Sequence, residues 1–359
     1  MNPLDHKRIL YVAYPLLTVY EASAGGAEQV LWTLEHEMAK HGVQTTVAAS
    51  AGSSVSGELF TTGEPCLQPD DFERRNREHQ EKILHFVRQR ALEDRPFDLV
   101  HDHSGSFSPQ AAELDVPVLA TLHLPRHFYR PESFENLPPN VSLNCVSQSQ
   151  ARSFADLKQM IGVAENGIVL GRFNSHAEKR SGLLWLGRIC EEKAPHLALD
   201  IAEHAGIPIT LAGQVYPFSY HQQYFEREIA SRLQRFPIAT FVQSPSAEKK
   251  QKLLSGAAAL LITSQVDETS SLVAMEAASS GTPVVAFRRG ALPEVVCDGV
   301  TGFLVSSLEE AVDALRKVPE IQSSACSRHA AEHFSSSAMA CRYESLYRKV
   351  LRQPSAIAA

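Results

Sequence analysis

Short apolar runs recur along the chain. They alternate with longer stretches whose apolar positions repeat every three or four residues. The runs 8–14 (RILYVAY), 44–49 (QTTVAA), 97–101 (FDLVH), 117–122 (PVLATL) and 141–146 (VSLNCV) read as strands. Between them, 28–41 puts Val30, Leu31, Leu34 and Met38 on one helical face, and 72–93 does the same with Ile83, Leu84, Phe86 and Val87. The second half repeats the alternation. It has strands at 183–186, 207–211, 240–242, 258–262 and 283–286, and helices at 194–205, 220–235, 248–255 and 270–279. This alternation predicts an α/β chain of two Rossmann-like, doubly wound domains, each a parallel sheet covered on both faces, facing one another across a cleft. Residues 166–179 hold few large apolar side chains and read as the linker. The expected division is an N-terminal domain at 1–170, a second domain at 171–334, and a C-terminal segment at 335–359. Within that segment, Met339, Tyr343, Leu346, Tyr347 and Val350 share one helical face.

The length of 359 residues agrees with two domains. With 44% hydrophobic and 21% charged residues, the chain is ordinary for a folded protein. A formal charge of −7 gives no global basic field, so nucleic acid is not expected as a partner. Six scattered cysteines include no C-x-x-C pair, which argues for free thiols in a reducing cytosol rather than a zinc or redox site. No run of apolar residues is long enough to span a membrane. The apolar stretch 9–17 is too short for a signal peptide and reads as the first buried strand.

In such sheets, chemistry gathers on the loops after the strands' carboxyl ends, here those following Tyr14, Leu122, Leu186, Leu211 and Ile262. After the first strand, Gly25-Gly26 opens a helix and lets backbone approach a phosphate or sugar. The segment GRICEEK puts Arg188 and Lys193 on a turn after a strand, where two cations can neutralise a diphosphate, or simply pair with Glu191 and Glu192. In DETSSLVAMEAASSGTP, Glu268 precedes a helix and Glu276 lies within it. Thr269, Ser270 and Ser271 are expected to supply N-cap side chains. The junction offers free N–H groups for a phosphate or sugar hydroxyl, and a plain capped helix explains it equally well. His123 lies just past a strand end. His101, Asp102 and His103 admit a weak metal reading, with no third ligand at the right spacing. No D-x-D, G-x-G-x-x-G, P-loop or G-x-S-x-G occurs.

Taken in order, these segments resemble glycosyltransferase family 4, retaining enzymes of the GT-B fold. GGAEQVLWTLEHEMAKHG is similar to that family's glycine turn and first helix, and GLLWLGRICEEKAPHLALDIA to its Arg/Lys loop. DETSSLVAMEAASSGTPVVA is similar to its Glu–x7–Glu motif, and GALPEVVCDGVTGFLV to the stretch that follows. VSQSQARS and NGIVLGRF resemble the segments before and at the domain linker. The resemblance implies a metal-independent hexosyltransferase acting from a nucleotide diphosphate sugar, a UDP-sugar first, on a hydroxyl acceptor. The acceptor would be a sugar, a lipid-linked sugar or a small molecule. It further implies His123, Arg188, Lys193 and Glu268 as the catalytic group, and Gly25, Gly26, Ser270, Ser271, Leu272 and Glu276 as donor-binding residues. Arg188 and Lys193 would hold the diphosphate, Glu276 the ribose and Glu268 the sugar, with no metal and no cofactor. The C-terminal helix would cross back to the N-domain. The enzyme would be cytoplasmic; the basic segments Arg126–Arg130 and Arg74–Arg77 could meet a lipid diphosphate at a membrane inner face, though the chain's net acidity favours reading them as solvated loops. Where the family often has Pro-Phe-Gly after the first Glu, this chain has Thr269-Ser270-Ser271. An epimerase of the same fold and a decayed nucleotide-sugar-binding protein remain as alternatives.

Overall fold

A computed structural model of the protein describes residues 4–66, 69–171 and 180–352. The chain divides into two compact units. One comprises residues up to Gly167 together with those from Ser336 onward, and the other is Ile168–Ser335.

The first unit holds seven strands: β1 Arg8–Val12, β2 Gln44–Ser50, β3 Glu58–Gly63, β4 Leu99–Asp102, β5 Val118–Leu122, β6 Val141–Cys145 and β7 Met160–Val163. Their order is β3-β2-β1-β4-β5-β6-β7, with every pair parallel. The second unit holds six: β8 Leu183–Leu186, β9 Ile209–Gly213, β10 Ala239–Gln243, β11 Ala259–Ile262, β12 Val284–Phe287 and β13 Gly302–Val305. Their order is β10-β9-β8-β11-β12-β13, again all parallel. Successive side chains of a strand go to opposite faces, and in β8 both faces are covered. Leu183 and Trp185 pack with Leu199 and Ile201 of the Pro195–Ala205 helix, while Leu184 joins Met275 of the Leu272–Ser279 helix. In both units the winding reverses beside the first strand, between β1 and β4 and between β8 and β11. Those two crevices are where a doubly wound sheet presents loops to a ligand.

Three strands escape the sequence reading, namely β3, β7 and β13, and each lies at a sheet edge. Edge strands are less covered, and every residue of β7 is only half-buried, as are Phe303 and Leu304 of β13; MIGV and GFLV are nonetheless apolar in sequence. Helix starts also shift. The segment expected as a helix from 270 is helical only over Leu272–Ser279, and Ser271 at its N-cap makes no side-chain capping bond. Of the expected linker, residues 172–179 lie outside the described residues.

The helix Ser336–Arg352 packs within the first unit. Its Met339, Tyr343, Leu346, Tyr347 and Val350 are buried. The Met339 sulfur accepts the Gly167 N–H at 3.1 Å, Ser336 donates to Glu37, and Glu344 pairs with His41 at 2.8 Å.

Candidate functional site

In the second unit the loops after β8 and β11 meet at the point of reversal, because these strands are neighbours. Backbone bonds fasten the loops together: Gln265 N–H donates to the Glu192 carbonyl at 2.8 Å. The Thr263 hydroxyl donates to the carbonyls of Lys193 and Ala194, and accepts from Trp185 Nε1. Ala194, buried, takes a left-handed φ of 47°, a conformation that costs energy for a residue with a Cβ and persists here because Thr263 holds it. The outcome is a rigid turn with Lys193 at its tip.

Lys193 reaches across to Glu268. Its Nζ donates to both carboxylate oxygens, at 2.6 and 2.7 Å, and the Ser264 hydroxyl donates to the same carboxylate. Arg188 stays half-exposed with one loose partner, Glu192 at 3.5 Å. The Lys193 partner is thus Glu268 and not Glu191 or Glu192. The Glu268 backbone is clamped in turn: its carbonyl accepts Ala291 N–H at 2.7 Å, and a Cβ on Gly290 would lie 2.3 Å from that carbonyl. Only glycine fits there, at a φ of 51°.

Glu276 sits in the Leu272–Ser279 helix with 5% of its surface exposed. One oxygen accepts Lys250 Nζ at 2.6 Å, whereas its Oε2 is buried with no hydrogen-bond partner. The Ser270 hydroxyl is likewise buried and unpartnered. Buried polar atoms are costly to leave unpaired, so each of these is an atom that a hydroxyl or amide can complete. Lys250, on the Ala247–Gly256 helix, was not read as a site residue; its only signal is one of three lysines in the EKKQK run.

The other residues read as site members belong to the first unit. Gly25 is the N-cap of the Gly26–Lys40 helix and makes no side-chain cap. The carboxyl of Glu28 folds back over this turn: a Cβ on Gly25 would lie 1.9 Å from its Oε2. Burial pushes the Glu28 carboxyl up to about 7, partly offset by its own backbone N–H. The raised value means that the protonated form is favoured by folding. That contribution is complete below pH 4.5, the ordinary value, and is lost as pH rises through about 7. Glu28→Gln is therefore expected to flatten the stability curve between pH 5 and 8, removing a slope worth up to about 3 kcal/mol. Urea unfolding of both proteins across that range checks it, and parallel curves would refute it.

His123 follows β5, half-buried. Its backbone N–H and that of Leu124 both donate to the Tyr129 hydroxyl, at 3.0 and 3.1 Å. Burial pulls its imidazole down to about 4, and those of His101 and His103 well below the usual histidine range, so all three are neutral near pH 7. The metal reading of His101, Asp102 and His103 is corrected here. The Asp102 carboxylate turns into its own loop and accepts from the N–H groups of Ser104, Gly105 and Phe107 at 2.8–3.1 Å. Among the described residues no cluster of His, Cys, Asp and Glu is arranged to hold a metal ion. The basic segments are neutralised locally: Arg126 pairs with Asp156, Arg130 with Glu73, and Arg74 with Asp71 and Glu78. No helix among the described residues is long and apolar enough to cross a membrane.

Comparison with known proteins now bears on these loops. The profile of Glycosyl transferases group 1 matches residues 171–333 and that of Glycosyltransferase Family 4 matches residues 24–170, so together they take in both crevices. The chain belongs to glycosyltransferase family 4. Among relatives of this family 4 chain, the D-inositol 3-phosphate glycosyltransferase of Nocardioides sp. is 28% identical over 275 residues, which is 62% of this chain and 60% of the relative. That of Mycolicibacterium smegmatis is 34% identical over 152 residues, 42% of this chain and 35% of the relative. The matches thus span less than two thirds of these relatives. Solved structures agree on the fold at lower identity. AviGT4, a glycosyltransferase involved in avilamycin A biosynthesis, has a TM-score of 0.72 at 23% identity, covering 97% of this chain and 99% of its own. Sucrose-phosphate synthase from Thermosynechococcus elongatus reaches 0.78 at 17%, covering 97% and 100%. Anabaena Alr3699/HepE, in complex with UDP and glucose, reaches 0.73 at 17%, covering 96% and 100%. These neighbours make the family 4 chain a member of the GT-B fold.

Proposed function

We propose that the protein transfers a hexose from a nucleotide diphosphate sugar to a hydroxyl acceptor, with retention at the anomeric carbon and without a metal. The observation that carries this is Glu276. Its buried, unpartnered Oε2, next to an Oε1 already held by Lys250, is suited to accept a ribose hydroxyl. Lys193 and Arg188, on the loop after β8, would meet the diphosphate and stabilise the charge that develops on the leaving group. An incoming diphosphate competes with Glu268 for Lys193, which frees the Glu268 carboxylate to accept hydroxyls of the donor sugar. In the front-face reading of retention, the leaving phosphate takes the acceptor's proton while the new glycosidic bond forms, so no protein nucleophile is required. The glycine turn at Gly25-Gly26, and His123 beside the sugar, would act from the first unit. UDP is the first choice of nucleotide, supported by Alr3699/HepE, which is described with UDP and with UDP-glucose. The acceptor would be a sugar, a lipid-linked sugar or a small polyol; the named relatives act on an inositol phosphate. Six free cysteines suit a reducing compartment such as the cytoplasm.

The test is thermal unfolding with UDP, GDP, ADP and dTDP. A nucleotide at one hundred times its Kd adds about 2.7 kcal/mol of stability to the wild type. Glu276→Ala is expected to lose most of that shift. Incubation with the matching nucleotide sugar separates the chemistries: a transferase releases free sugar slowly without acceptor, an epimerase converts the donor, and a decayed protein does neither. No shift with any nucleotide would overturn the proposal.

A further inference from the structure

Two helices of the second unit meet over a single buried carboxylate. Lys250 stands on the Ala247–Gly256 helix, which follows β10, and Glu276 on the Leu272–Ser279 helix, which follows β11. The helices are tied at their C-terminal ends. The Thr282 hydroxyl donates to the Leu254 carbonyl, and Arg180 donates to the carbonyls of Ser280 and Gly281 and to the Thr282 hydroxyl. Lys250 lies one helical turn before Leu254, which is buried with Ala274 and Met275, so both belong to the face that meets the second helix. Of its neighbours in the run, Lys249 is exposed and Lys252 pairs with Glu248 of its own helix at 2.6 Å. The Lys250 Nζ donates to Glu276 Oε1 at 2.6 Å, and the two side chains keep 25% and 7% of their surfaces exposed. This pair differs from Lys193 and Glu268. Lys193 donates to both oxygens of its partner, whereas Lys250 holds one and leaves Glu276 Oε2 buried and bare. An ionised carboxylate only accepts, so whatever completes Oε2 must donate, as a hydroxyl or N–H does and an ionised phosphate oxygen does not.

We infer that Lys250 is a positioning residue for the nucleotide: by holding Glu276 Oε1 it aims Oε2 at a ribose hydroxyl, and so makes the site select a ribonucleotide over its deoxy counterpart. This rests on the proposal that Glu276 meets the ribose. A carboxylate this deep needs a compensating cation, and among the described residues Lys250 is the side chain that hydrogen-bonds it. A glutamate side chain is also long and rotatable. A lysine on one oxygen fixes it before the ligand arrives, so the ribose bond forms without the cost of ordering that side chain. The selection follows from the same oxygen. A ligand without the hydroxyl leaves Oε2 unpaired, whereas one that has it makes a charge-assisted bond.

Isothermal titration measures Kd for UDP, GDP and ADP, each beside its 2′-deoxy and 3′-deoxy form. The wild type is expected to bind its ribonucleotide about 10–100-fold tighter than the form lacking the hydroxyl that Oε2 takes, the worth of a hydrogen bond to a charged group. Lys250→Met keeps the stem and removes the cation. It is expected to bring that ratio within about threefold, by weakening the ribonucleotide, with donor KM raised about tenfold and kcat within about a factor of two. Lys250→Arg keeps a cation and is expected to keep most of the ratio. A merely structural loss would weaken both nucleotides alike and leave the ratio standing, so a full ratio in Lys250→Met overturns the positioning role. Urea unfolding gives a readout without nucleotide. Lys250→Met is expected to lower the midpoint of the wild type and to leave that of Glu276→Gln almost where it was; equal falls in both backgrounds overturn the pairing. If no ribonucleotide binds the wild type, or its deoxy forms bind as tightly, the reading of Glu276 has failed and this inference falls with it.

Discussion

Replacing Lys193 by alanine is expected to lower kcat/KM by about 10²–10³-fold, the range seen when one fixed donor to a developing negative charge is removed. The argument starts from the turn that carries it. Ala194 in its left-handed conformation and the two bonds from Thr263 hold this loop in one shape, so Lys193 comes preorganised rather than recruited. In the structure it neutralises Glu268 with two short bonds. Alanine there removes the cation and also leaves Glu268, little exposed, with Ser264 as its one remaining donor among the bonds described. Charge-assisted bonds of this kind contribute about 1.5–3 kcal/mol each way, so the variant should also unfold more easily. Lys193→Ala paired with Glu268→Gln separates the two effects. The amide relieves the uncompensated charge and restores stability, while turnover stays low. Nucleotide release assayed on the single and double variants checks this. Turnover within threefold of wild type in Lys193→Ala would remove the lysine from the leaving-group role.

Asp102→Ala is expected to destabilise the first unit by about 3–5 kcal/mol. This carboxylate is fully buried and shapes the loop after β4 by accepting three backbone N–H groups and the Ser104 hydroxyl. Alanine strands all of those donors. Asparagine keeps one acceptor oxygen and is expected to lose roughly half as much. Denaturant unfolding of the two variants, followed on the first unit's transition, makes the comparison. A loss below about 1 kcal/mol for alanine would show that the loop closes without the acid. Such a result would also unsettle His103, whose ring is carried on the same loop.

Most of the strands that were legible in the sequence are buried on both faces, the edge strand β10 being the exception. LLWL and ALLI carry apolar side chains to two helix layers and leave continuous runs. The edges β3, β7 and β13 are less buried, and β7 and β13 were missed although MIGV and GFLV are apolar. Motifs were legible where a site is local, as with Arg188 and Lys193 on one turn, or Glu268 and Glu276 around one helix start. Partners brought together only by topology were not. Lys250 reaches Glu276 from another helix, and His101 meets Tyr347 from the far end of the chain. Glu28 was hidden for a different reason. It reads as an ordinary acidic residue in a first helical turn, and only its curl over Gly25 buries it. The serines before the second Glu were expected to cap a helix. Ser271 stands at the N-cap without a side-chain capping bond, and the Ser270 hydroxyl is buried with no partner.

The closing of the first unit by residues after Ser336 has a consequence for how the protein is made. The second unit is one uninterrupted stretch of chain, an insert within the other. On the ribosome it can fold as soon as it has emerged, whereas the first unit has to wait, with β1, β4 and β5 lacking the tyrosines that cover them, until the last helix is released. Birth order and numbering order are therefore reversed. A permuted gene that begins at Ser336 and runs on into residue 4 would deliver the first unit complete before the second is translated, and should shorten the interval in which its core lies open.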